Sequence, residues 1–279
     1  MRHRQASIGR MLHLAGVFAL ALLCSACVSS TAPGTIGVNR QQFFMVPSEL
    51  MDRQSAQFYM QLSRAAYSQG KFNNDPALTA RVRAIGYRLI REVPVFRPDA
   101  AKWAWEINVF DSDQLNAFCA SGGKIGFFSG LIRRLDLNDA EIAAVMGHEI
   151  AHALREHMRE KTSQQVLSHA VVQGIASSNS RNAAVASALT NVGANLLLHL
   201  PFSREMETEA DLMGLELMAR AGYDPRYAAN VWRKMQRMGQ DKPAEFLSTH
   251  PSDDRRIQTL EREVPKVWPV YEKAARVLR

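Results

Sequence analysis

The chain has 279 residues, 47% of them hydrophobic and 22% charged, with a net charge of +7. That composition excludes a disordered or fibrous chain and supplies enough apolar residues for one sizeable core. The net charge includes Arg2, Arg4 and Arg10; without those three it is +4. The remaining charges of both signs are interspersed, which excludes a nucleic-acid-binding arm.

In chain order, "MRHRQASIGR" is basic, "MLHLAGVFALALL" is apolar and "CSAC" is small. That is the order of a secretory signal, and the apolar run is shorter than the roughly 20 residues of a membrane span. Ser25-Ala26-Cys27 resembles a bacterial lipobox, in which the cysteine is lipidated, and Val28 after it resembles outer-membrane sorting. The expectation is a signal over 1–26, lipid on Cys27, a tether over 27–50 rich in Ser, Thr, Pro, Gly and Asn, and one domain over 51–279. Cys119 then stands alone, so an exported domain without a disulfide must rest on its core. In its apolar stretch Cys119 reads as a small buried hydrophobe rather than a nucleophile.

Residues 52–70 and 75–93 read as helices, the second opened by Asp75 as cap and Pro76 in the first turn. "KWAWEINVFDS" (102–112) alternates as a strand does, and "GGKIGFFSGLI" (122–132) reads as a second strand. Asn138-Asp139 opens the next helix. Residues 162–200 read as helical but interrupted by "SSNSRN"; the apolar part over 182–200 is expected as a buried or substrate-covering helix. Helices over 204–221, 225–239 and 252–278 complete the pattern. The fold class is α+β, mainly helical with a small sheet. No internal repeat is present, and too little chain follows residue 250 for a helical-repeat array.

"AAVMGHEIAHAL" (143–154) lies in a helix apolar nearly all round, hence buried. Buried polar side chains cost several kcal/mol unless compensated. His148 and His152 are four apart, about 40° from each other on one helical face, so two imidazoles can meet one metal ion. Glu149 lies about 100° away, too far round to share the ion and placed to act as general base on water beside it. A catalytic zinc keeps three protein ligands and one open position. In one class of such sites the third ligand is a histidine ten residues after the first, but that position is Met158; His157 is off by one and reads as a surface or supporting residue. The other class uses a glutamate on a later helix, followed four residues on by an aspartate that orients a ligand histidine. Of Glu205, Glu207 and Glu209, only Glu207 has that aspartate, Asp211. Glu207 is therefore the expected third ligand, and Glu205 and Glu209 are expected to be salt-bridged or solvated.

"HEIAH", "SREMETEAD", "THP" with a following arginine, and "NAFCASGGKIGFFSGLI" together resemble the HtpX/BepA-type zinc metalloendopeptidases, a gluzincin-like family, over roughly residues 55–260. The resemblance implies a zincin-like domain with one Zn²⁺ per chain and an endopeptidase activity. Among the family's branches it is nearest the soluble periplasmic lipoproteins. That implies periplasmic quality control of outer-membrane proteins, with unfolded or misassembled envelope polypeptides as substrates and a lipid anchor to the membrane. The alternative is a non-catalytic assembly factor retaining the metal, against which Glu149 argues. The resemblance also implies that substrate extends along Gly123, Lys124, Ile125, Gly126, Phe127 and Phe128, adding a strand. It brings His250 and Arg256 near the metal, where either could stabilise the developing oxyanion; His250 could instead bind zinc and hold the enzyme shut.

Overall fold

The computed structural model describes residues 27–172, 201–238, 245–250 and 254–277. Helix α1 (Ser48–Ser68) is followed by α2 (Pro76–Ile90), which opens as its sequence dictates: the Asp75 side chain accepts from the Leu78 N–H at 2.9 Å, and Pro76 needs no donor in the first turn. Pro98 starts a 3-10 turn over Pro98–Lys102, so the strand expected over 102–112 shortens to β3 (Glu106–Phe110). An unforeseen strand, β4 (Ala117–Ala120), returns against β5 (Lys124–Phe128) through a turn in which Gly122 (φ 78°) and Gly123 (φ 85°) are both left-handed. β5 ends where the helix α3 (Ser129–Arg134) begins, so the expected strand over 122–132 covers a strand and a helix. β1 (Cys27–Val28) and β2 (Gln42–Phe43) form a separate two-stranded antiparallel ribbon.

The three-stranded sheet has the order β3-β5-β4. β5 pairs parallel with β3 and antiparallel with β4. This overturns the expectation that residues 123–128 receive substrate: the backbone of the central strand is hydrogen-bonded on both sides. The edge strands are β3, whose outer side is met by residues 71–73, and β4.

Helix α4 (Asp139–Leu154) begins with a reciprocal cap: Asn138 Oδ1 accepts from the Glu141 N–H at 3.0 Å and the Glu141 carboxylate accepts from the Asn138 N–H at 2.9 Å. After it come α5 (His157–Val172), α6 (Arg204–Arg220), a 3-10 turn at Pro225–Tyr227 leading into α7 (Ala228–Arg237), α8 (Glu245–Thr249) and α9 (Asp254–Val277). The core packs α2, the sheet, α4, α6, α7 and α9 together, with Val82, Leu89, Ile125, Phe127, Ile142 and Leu217 fully buried. Helices α4 and α6 touch backbone to backbone. A Cβ on Gly214 would lie 2.7 Å from the His148 nitrogen, and one on Gly147 would lie 2.9 Å from the Gly214 carbonyl oxygen. Only glycine allows that approach, and it brings the side chains of the two helices within reach of one another.

The tether expected over 27–50 is instead packed along the domain from residue 29 to residue 46. Ile36, Val38 and Val46 are buried, and the Thr35 and Ile36 N–H groups donate to the Glu216 carboxylate at 3.0 and 2.9 Å. The segment supplies partners for two fully buried charges, backbone N–H groups for Glu216 and side-chain hydroxyls for Arg155, which donates to Ser29 Oγ at 2.8 Å and Thr31 Oγ1 at 3.2 Å. The expected signal over 1–26 and the expected helix over 182–200 lie outside the described residues. Among the described residues no helix is long and apolar enough to cross a membrane.

Candidate metal centre

His148, His152, Glu207 and His250, all buried, form a cluster whose ligand atoms lie within 4.8 Å of one another. His148 Nε2 is 3.1 Å from His152 Nε2 and 3.2 Å from His250 Nδ1; Glu207 Oε1 is 2.9 Å from His250 Nδ1 and 3.5 Å from His152 Nε2. Four atoms tetrahedrally placed around zinc at ~2.0–2.1 Å are about 3.3 Å apart. The cluster has that spacing, and imidazole nitrogens with one carboxylate oxygen are the donors zinc takes, so the residues present fit the ion. His250, from the segment after α8, is the fourth member of the cluster, the place that the zinc-binding alternative expected for it would require.

Each ligand is held by what lies behind it. Asp211, one turn after Glu207, meets His148 Nδ1 at 3.0 Å, as the spacing of the two acids predicts. Arg256 donates through Nε and Nη2 to the two Asp211 oxygens, at 2.7 Å each, while its Nη1 lies 2.7 Å from Glu207 Oε2. Its guanidinium stacks over Trp232 at 3.7 Å. A guanidinium so committed positions Asp211 and Glu207 rather than facing an oxyanion. Phe202 lies against His152, with ring centroids 4.2 Å apart, and Phe246 stacks on His250 at 4.4 Å.

Glu149 is 3% exposed. Its Oε1 is buried without a hydrogen-bond partner, 3.5 Å from His250 Nε2. Burial is the main cause that raises its pKa to about 7; His250 opposes the rise and Glu207 adds to it. A carboxyl poised near neutrality is suited to taking and returning a proton. Burial pushes the pKa values of His148 and His152 down, which favours the neutral imidazoles a metal needs. Burial opposes ionisation of Glu207, yet His250, His152 and Arg256 hold its carboxyl well below the usual range.

Beside Glu149 runs the outer edge of β4, where Cys119 is half-buried. Burial and Glu149 push its thiol well above the usual range, so it is a packing residue and no nucleophile. Of the residues expected at the substrate strand, Gly123 to Phe128 lie one strand back from this edge. Glu205 is exposed, as expected. Glu209 is salt-bridged, one of the two states expected of it, and His157 is the supporting residue rather than the surface one; what the sequence reading lacks is that the two are buried and paired with each other beneath His152. The signal that could have found them is "LREH" directly after the motif, an arginine and a histidine where a surface helix would turn away.

Residues 76–264 match the family model described as peptidase family M48. The chain belongs to peptidase family M48. All four residues of the cluster, His148, His152, Glu207 and His250, fall within the matched residues. The chain is similar to the mitochondrial metalloendopeptidase OMA1 of Arabidopsis thaliana, 42% identical over 157 residues, which cover 56% of this chain and 31% of that protein. It is similar to the OMA1 metalloendopeptidase of Bos taurus, 32% identical over 219 residues, covering 72% and 41%. It is also similar to the beta-barrel assembly-enhancing protease of Escherichia coli K12, 26% identical over 208 residues, covering 71% and 41%. The chain spans less than half the length of each of these three relatives. They include both mitochondrial and bacterial proteins, so membership in M48 is established while the narrower periplasmic lipoprotein branch is not singled out.

Proposed function

We propose that this protein is a zinc-dependent endopeptidase that cleaves unfolded or misassembled polypeptides of the cell envelope, exported and held to the membrane by lipid on Cys27. The observation that carries the peptidase reading is the buried carboxyl of Glu149, whose Oε1 has no hydrogen-bond partner and lies 3.5 Å from His250 Nε2, beside the four-atom cluster. A structural metal site needs no such base, which weighs against a non-catalytic assembly factor. The chemistry that zinc supplies when bound is Lewis acidity, which polarises a scissile carbonyl and makes water more acidic. His148, His152 and Glu207 hold it; Glu149 accepts the proton of the attacking water and returns one to the departing amine.

The substrate lies extended along the outer edge of β4. There the Cys119 backbone N–H faces Glu149 and the Ala117 N–H turns to the Asn116 side chain, so neither belongs to the ladder with β5. Pairing by main chain reads backbone more than side chain, which suits unfolded chains. The order of basic, apolar and small residues over 1–27 supports export and lipidation, and the similarity to a beta-barrel assembly-enhancing protease supports an envelope role. His250 acts as a latch: it fills the fourth position and must withdraw for water to enter, while the carboxyl it covers is the base itself.

Cleavage of an unfolded protein by Glu149→Gln is expected to fall at least a hundredfold below the parent with zinc content unchanged. His250→Ala is expected to keep zinc and cleave faster. Equal rates for the parent and Glu149→Gln would discard the peptidase reading; a slower His250→Ala would discard the latch.

A further inference from the structure

The two histidines of α4 are supported differently. His148 reaches a carboxylate directly, at Asp211. The corresponding nitrogen of His152, the Nδ1 turned away from the cluster, reaches none. It lies 2.9 Å from Nδ1 of His157, and Nε2 of His157 lies 2.9 Å from Glu209 Oε2. We infer that His157 and Glu209 are positioning residues that fix the ring of His152 at the metal centre, and that Arg40 of the N-terminal segment completes this support. The inference rests on the zinc reading of the site.

The proton positions follow from the roles. His152 turns Nε2 to the cluster, so its Nδ1 carries the hydrogen and donates to His157 Nδ1. That leaves Nε2–H of His157 to donate to Glu209. Glu209 is in turn gripped from two sides: Arg155, fully buried, donates to it at 3.1 Å, and Arg40 donates at 2.8 and 3.1 Å. The sequence sets up this relay with a kink. α4 ends at Leu154, Glu156 adopts φ 50°, and the chain re-enters a helix at His157, which swings that ring back beneath His152. A left-handed glutamate persists only where its surroundings impose it, and here Arg97 and Arg159 hold its carboxylate at 2.7 and 2.8 Å.

A salt bridge serving stability alone would not need an imidazole inserted between His152 and Glu209, since Arg155 already neutralises that glutamate. The inserted ring sets the tautomer of His152 and passes the carboxylate's polarisation to it, which strengthens a metal-ligating imidazole. The last link comes from far away in sequence. Arg40 also donates to Glu160 at 2.6 and 2.9 Å, Gln42 donates to Glu160 at 2.9 Å, and Arg155 reaches Ser29 and Thr31. Seating of residues 29–42 is thereby coupled to the ring that holds the metal.

The test uses the whole protein loaded with zinc or with cobalt. Metal affinity is read by chelator competition, ligand geometry by the visible absorption of the cobalt form, and turnover as kcat and KM separately. His157→Leu is expected to weaken metal affinity by about 10- to 100-fold, to alter the cobalt spectrum, and to lower kcat more than KM. His157→Gln should restore most of each, because its amide oxygen can accept from His152 while its NH₂ donates to Glu209. Arg40→Ala should shift affinity in the same direction by less. Parent-like affinity and spectrum in His157→Leu, or a His157→Gln no better than His157→Leu, would overturn the relay. If thermal unfolding shows that metal-free His157→Leu does not fold, Arg40→Ala decides, and unchanged affinity there overturns it. A parent protein that binds no equimolar metal overturns the zinc reading instead, which keeps the two failures apart.

Discussion

The metal centre has two flanks built on one plan with different exposure. On the His148 flank the order is histidine, Asp211, Arg256, and every member is at most 7% exposed. On the His152 flank the order is histidine, His157, Glu209, then Arg155 and Arg40, and the outermost guanidinium is 29% exposed in its side chain. Both flanks end on arginine because a buried carboxylate needs a neutralising partner, and guanidinium binds two oxygens at once. The inner flank comes from α4, α6 and α9 alone. The outer one borrows a residue from the N-terminal segment, so it can respond to how that segment is seated. The difference suggests that His148 is the fixed ligand and His152 the adjustable one.

Arg256→Ala breaks the fixed flank and should have the largest effect. It leaves Asp211 and Glu207 as buried carboxylates without their cation, and removal of one partner from a buried ion pair costs about 3–5 kcal/mol. Chemical denaturation of the metal-free protein measures the loss. A loss below about 1 kcal/mol would mean that Arg256 does not hold that flank.

The seam that serves both flanks comes next. Gly214→Ala puts a Cβ 2.7 Å from the His148 nitrogen, so α4 and α6 must separate. Overpacking of this kind costs about 1–3 kcal/mol. Glu207 and Asp211 ride on α6, so metal affinity should fall along with the melting temperature. A variant that loses melting temperature while keeping parent-like metal affinity would show that the helix approach matters for folding and not for the site.

What the sequence made legible was local. His148, Glu149 and His152 stand at helical spacing in an apolar stretch, and Glu207 carries Asp211 one turn on, so the helix period together with the pattern of that class of zinc sites places them. The features it hid depend on the path of the chain between elements. β4 is four residues, "AFCA", too short and too uniformly apolar to alternate, and only the crossover from β3 to β5 leaves it at an edge. His157 reaches His152 because Glu156 is left-handed, a conformation that a glutamate does not advertise. The segment over 29–46 has the composition of a linker and the partners of a structural element, because what holds it is buried charge on Glu216 and Arg155 rather than its own few apolar residues.

The smallest effect tests the adjustable flank at its rim. Arg40 is partly exposed, so Arg40→Ala should cost only about 1 kcal/mol at pH 7. Its pH dependence is the sharper reading. Burial would raise the Glu209 pKa, but hydrogen bonds from His157 and Arg40 hold it down at about 2. A carboxyl depressed in the folded state contributes stability that is complete above its unfolded value of about 4.3 and is lost as pH falls toward 2. Without Arg40 the folded pKa moves back up, so less of that stability exists to lose. The gap between parent and variant should therefore be widest above pH 5 and close steadily between about pH 4.5 and pH 2, in metal-free protein unfolded by denaturant at each pH. A gap that stays constant across that range would mean that Arg40 stabilises the segment without acting on Glu209, and the His152 flank would then end at Arg155.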